Sequence, residues 1–156
     1  MSLKITSRIK DTTDIDINKQ DAGGKTLLHY AVIDNKPDKI RFLLSKNAKT
    51  NIKDNYGNAP LHYAVLLGDR NVFLLLIKFC TVNIRNNFLH TPMHLAALTG
   101  NELAIIILIK SPKIKINARD LYGRTPLFIA SYRGHENIVK LLVNNNANLE
   151  IKSKAI

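Results

Sequence analysis

The chain has 156 residues, enough for one domain, and its 46% apolar share is ordinary for a protein that buries a core. A single cysteine, Cys80, excludes an intrachain disulfide, and the longest apolar runs, Val72 to Ile77 and Leu103 to Ile109, fall far short of the roughly 20 residues of a spanning helix. The formal charge of +11 permits an acidic protein, a nucleic acid or an anionic membrane as partner, but Lys, Asn and Ile are enriched together, as a coding bias toward A and T would produce.

Residues 1–20 read as a partial capping unit, with Leu3, Ile5 and Ile9 as a short apolar cap and Asp16 to Asp21 resembling the closing segment of later units. The N-terminus lacks the apolar core of a signal peptide, and no Asn-x-Ser/Thr site occurs. Together with the lone cysteine, these features predict an intracellular and most simply cytoplasmic protein. These features are compatible with delivery into a host cell.

From residue 21 a pattern repeats: Lys25-Thr26-Leu27-Leu28-His29, Asn58-Ala59-Pro60-Leu61-His62, His90-Thr91-Pro92-Met93-His94 and Arg124-Thr125-Pro126-Leu127-Phe128. The spacings are 33, 32 and 34 residues, a period that belongs to stacked arrays. The units run 21–53, 54–85, 86–119 and 120–152, with a tail at 153–156. Each opens on Asp or Asn and a turn that needs glycine at a positive φ, filled by Gly24, Gly57 and Gly123. In the third unit Leu89 stands there, which predicts a remodelled or strained turn.

Thr26, Thr91 and Thr125 suit a helix N-cap, and Pro60, Pro92 and Pro126 suit the first helical position. Gly68, Gly100 and Gly134, with Asn35 in the first unit, should end each first helix in the left-handed region. Ala31, Ala64, Ala96 and Ala130 recur where small side chains let helices approach. A second helix follows, with apolar residues on one face: Ile40 and Phe42-Leu43-Leu44, Val72-Phe73 and Leu75-Leu76, Ala104-Ile105 and Ile107-Leu108, Ile138-Val139 and Leu141-Leu142.

With these motifs in register four times, the chain resembles the ankyrin-repeat family over residues 21–152. The resemblance implies an α solenoid: helix–turn–helix units joined by short β-hairpin loops and stacked into a curved slab. It implies a non-catalytic module that binds another protein through the concave face of hairpin tips and first helices. Transferred to this chain, that face holds Tyr56, Leu66, Phe88, His90, Leu98, Tyr122, Arg124, Tyr132 and Arg133. Aromatic residues and arginine are what interface centres enrich. With the basic balance, they predict an acidic or mixed acidic–apolar protein partner, such as a host protein targeted by an effector.

The alternative is a scaffold or self-assembling fragment of a longer array, because the helix at 138–143 is as apolar as an internal one. No cofactor, metal or small-molecule substrate is expected. His29, His62 and His94 recur at the array period rather than at metal-ligand spacing, and the resemblance makes them bonds between repeats. Gly23-Gly24-Lys25-Thr26 matches only the end of a phosphate loop: Lys19 stands where its first glycine belongs. Cys80, among Ile77, Phe79 and Val82, reads as packing rather than a reactive thiol. Nucleic acid is the least expected partner. The densest basic run, Lys110 to Arg119, carries no stacking aromatic.

Overall fold

A computed structural model describes residues 15–150. The proposed cap of Leu3, Ile5 and Ile9 and the tail at 153–156 lie outside the described residues. Eight helices run in four antiparallel pairs: α1 Leu27–Ile33 with α2 Pro37–Ser45, α3 Pro60–Leu67 with α4 Arg70–Ile77, α5 Pro92–Thr99 with α6 Glu102–Ile109, and α7 Pro126–Arg133 with α8 Glu136–Asn144. Helices α1, α3, α5 and α7 form one row, each packed on the next, while α2 packs on α4 and α6 on α8 in a second row behind it. Helices of seven to nine residues are too short to persist alone, so packing of the apolar faces holds them.

The core lies between the rows. Ala31, Ala64, Ala96 and Ala130 are fully buried where the first-row helices meet. The second row contributes Ile40 and Leu43, then Val72, Phe73 and Leu76, then Ala104, Ile105 and Leu108, then Ile138 and Leu142, all buried and all on one face. Proline stands at the start of α3, α5 and α7, and also of α2, where Pro37 was not anticipated. Gly68, Gly100 and Gly134 end their helices at φ 71° to 74°, and Asn35 takes φ 51°.

Two local expectations change. The loops are tight hairpin turns, each closed by two backbone bonds such as Asp54 N–H to the carbonyl of Asn58 (2.9 Å) and Gly57 N–H to the carbonyl of Asp54 (2.8 Å), and no strand forms among the described residues. Thr26 does not cap α1 through its hydroxyl. That oxygen lies 2.9 Å from Nδ1 of His29 and donates its proton there. Thr91 and Thr125 do cap: the Thr91 hydroxyl, also 2.8 Å from Nδ1 of His94, accepts the His94 N–H at 3.4 Å, and that of Thr125 accepts the Phe128 N–H at 3.2 Å.

Candidate interaction surface

The exposed rim is built by the turns. Oδ1 of Asp54 accepts the N–H groups of Tyr56 (2.9 Å) and Asn58 (3.0 Å), and Asp21, Asn86 and Asp120 make the same pair of bonds in their units. An acidic or amide side chain so bound fixes the turn and throws the next-but-one residue outward. That residue is Tyr56, Phe88 or Tyr122, and each is exposed. Leu89 adopts φ 58° and keeps the turn, with Leu89 N–H to Asn86 carbonyl at 2.9 Å, so this turn is strained rather than remodelled.

In Asp54, Asn86 and Asp120 the second polar atom of the side chain, Oδ2 or Nδ2, works across the junction to the preceding unit. Lys25 Nζ lies 3.1 Å from Oδ2 of the buried Asp54, which also accepts from the Tyr63 hydroxyl. Burial alone would push the Asp54 carboxyl upward, but Tyr63, Lys25 and the turn N–H groups outweigh it and hold the group below its usual range. At the next junction Asn86 Nδ2 donates to Asn58 Oδ1 (3.0 Å), and at the last His90 Nε2 lies 3.3 Å from Oδ2 of Asp120. That His90–Asp120 contact is within ion-pair reach but out of line for a hydrogen bond, leaving His90 Nε2 without one. Burial lowers the His90 pKa against the pull of Asp120.

This arrangement sorts the nine residues expected on the binding face. Tyr132 is 83% exposed and Tyr56 64%, and Arg133, Phe88, Tyr122 and Leu66 are also open to solvent. Leu98 is half-buried and packs on the core. His90 turns inward, its side chain only 13% exposed, because its ring completes the junction to Asp120. Arg124 is committed in part: Nε donates to Asp120 Oδ2 at 2.8 Å and the guanidinium lies 4.8 Å from the Tyr122 ring centre. Tyr132 stacks on Phe128 at 6.5 Å.

The histidine column links units. Nδ1 of His62 accepts the Ala59 N–H at 3.0 Å, so the proton sits on Nε2, which donates to the carbonyl of His90 at 3.1 Å. His29 reaches the carbonyl of Asn58 and His94 that of Arg124 in the same way. Burial pushes His62 and His94 down to about 4, so the neutral ring is the working form.

A third column was not anticipated. Oδ1 of Asn18, Asn51, Asn83 and Asn117 accepts an N–H of the following loop, from Lys49, Thr81, Lys115 and Asn148 respectively, at 2.8–3.2 Å. Their spacing of 33, 32 and 34 residues is the array period, the signal that identifies them in the sequence.

No three His, Cys, Asp or Glu side chains converge as a metal site requires, among the described residues. Cys80 is raised to about 12 by burial, which keeps it a thiol. The geometry defines a helical repeat solenoid that displays a surface. The family model for ankyrin repeats in three copies matches residues 4–86 and 72–153, and the chain belongs to the ankyrin-repeat family.

Among curated proteins it is 30% identical over 132 residues to neurogenic locus notch homolog protein 1 of Xenopus laevis, covering 85% of this chain and 4% of that protein. The human homolog is 41% identical over 61 residues, covering 39% of this chain and 2% of that protein. Human transient receptor potential cation channel subfamily A member 1 is 27% identical over 128 residues, covering 82% and 9%. The chain therefore spans under a tenth of the relatives it matches. No helix among the described residues is long and apolar enough to cross a membrane.

Proposed function

We propose that this array binds another protein through the rim of turn tips and first-row helices, with no chemistry of its own. The observation that carries the reading is the exposure of Tyr56, Phe88, Tyr122 and Tyr132, with Leu66 and Leu67, along one side of the stack. Large apolar groups held outward by fully bonded turns are preorganised, so docking costs little conformational entropy. A partner with acidic groups beside an apolar surface suits Arg133 next to Tyr132, and such a complex weakens with salt. A host protein as the target is part of the same proposal.

The test is cross-linked affinity capture, followed by repetition with Tyr132→Ala and Arg133→Ala combined. Loss of the captured protein, with circular dichroism unchanged, is expected. Equal retention by the double variant overturns the assignment of this face. A second reading, stacking of copies end to end, is favoured by Leu149 and Val143, exposed on the last unit. Light scattering across concentration decides it, because a mass fixed at 17.5 kDa removes that reading.

A further inference from the structure

The charge of the protein is not spread over the proposed binding rim. The segments 46–53, 78–85 and 110–119 carry nine Lys and Arg residues and no Asp or Glu. Each follows a second-row helix, and the asparagine column ties the segments side by side, so they form one edge of the stack. Among the described residues none of the nine enters an ion pair. On the adjoining loop Asp16 is turned back onto the N–H of its own Asn18, at 3.0 Å.

A groove of about 570 Å³ opens on this edge between the first two loops, walled by Leu44, Ile52 and Phe79 with Thr50 and Lys49. Phe79 is 58% exposed although it lies one residue from the half-buried Cys80. The Thr50 hydroxyl donates to the Phe79 carbonyl at 2.8 Å, which fixes that wall. Lys53 stands next to Ile52 and Lys78 next to Phe79, and Lys46 adjoins Asn47, which also lines the groove. An apolar groove rimmed by unpaired cations is complementary to a chain that carries carboxylates on both sides of an apolar anchor. A duplex offers phosphates but nothing for the apolar walls, and the lysines supply point charges rather than a stacking platform.

The geometry points to a second docking surface on this protein, separate from the rim: the groove at Leu44, Ile52 and Phe79 takes an acidic peptide segment with an aromatic or aliphatic anchor. The lysines bind its carboxylates and the walls bury its anchor.

The probe is a short fluorescein-labelled peptide with a Phe-Leu pair flanked by glutamates, titrated by anisotropy at low salt against the full chain. Saturable binding is expected, weakened about tenfold or more by Phe79→Ala and by Lys49→Glu, Lys53→Glu and Lys78→Glu combined. A control of equal charge change, Lys36→Glu with Arg70→Glu and Lys140→Glu, should leave affinity within about threefold. Tyr132→Ala with Arg133→Ala should leave it unchanged, so that failure of the rim and failure of the groove are told apart. The proposal is overturned by absent saturation, by Phe79→Ala without effect, or by equal losses in the control set. Equal or tighter binding of polyglutamate, a DNA duplex or phosphatidylserine vesicles overturns it as well.

Discussion

Leu89 occupies a position where the equivalent residues are glycine, and it does so at φ 58°. The left-handed conformation costs a residue with a Cβ about 1–2 kcal/mol. The other turns show why the cost is usually avoided: a Cβ on Gly57 would meet the backbone N of Asn87 at 2.5 Å, and one on Gly24 that of Asn55 at 2.8 Å. At the third junction the facing residue also differs, Leu121 in place of asparagine, so both sides of the contact have changed together. Leu89→Gly should therefore stabilise the fold. The gain expected is under about 1 kcal/mol, since glycine returns about 0.5–1 kcal/mol of backbone entropy to the unfolded chain. A urea midpoint that moves down instead would show that the exposed Leu89 side chain contributes packing that outweighs its backbone strain.

At the scale of the repeating element, the histidines set how the units respond to acid. His62 and His94 each accept on Nδ1 and donate from Nε2 to the next unit, so a second proton on Nδ1 would be set against the backbone N–H of Ala59 or Thr91. Their pKa values are depressed from 6.5 to about 4, chiefly by burial. As pH falls, the unfolded chain takes up these protons first. The stability they contribute is therefore whole above about 6.5 and is lost progressively as pH falls through about 4. The loss should be on the order of 2 kcal/mol for each ring by pH 5. Urea midpoints between pH 7.5 and 4.5 (about that range, above the titration of the lowered carboxylates) should fall steadily, and a flat profile would contradict the neutral buried tautomer.

The fold was legible in the sequence at this scale because each unit repeats its turn, cap and apolar face, and register errors would break all of them together. The surface was less so. His90 looked like a tip residue, but its place in the column of Lys25 and Asn58 is one that reaches the next unit's turn residue. Asparagine abundance was read as coding bias, yet Asn18, Asn51, Asn83 and Asn117 form a periodic set of bonds between loops. Both depend on which side chain faces the neighbouring unit, and that follows from stacking, which a single repeat does not encode.

For the whole molecule, the separation of its faces has a thermodynamic consequence. Two acidic groups, Asp54 and Asp120, are drawn into the junctions, where their carboxylates are fully buried and paired. The nine cations of the loop edge are left facing one another and water. The loops that carry them are hydrogen-bonded to one another, and with a Debye length of roughly 10 Å at 0.1 M salt their repulsion should be felt in dilute buffer and screened above it. Self-repulsion of this kind destabilises the compact state, and unfolding relieves it by letting the loops separate. Added sodium chloride should accordingly raise the thermal midpoint by a few degrees between about 0.01 and 0.3 M, with the steepest change at the low end. The combined variant Lys49→Glu, Lys53→Glu and Lys78→Glu replaces repulsion on that edge with attraction, so its midpoint should start higher in dilute buffer and rise less with salt. Calorimetry of both proteins across that series measures the difference. A wild-type midpoint that falls with salt would mean that attraction at the junctions, rather than repulsion along the edge, dominates the electrostatics of the stack.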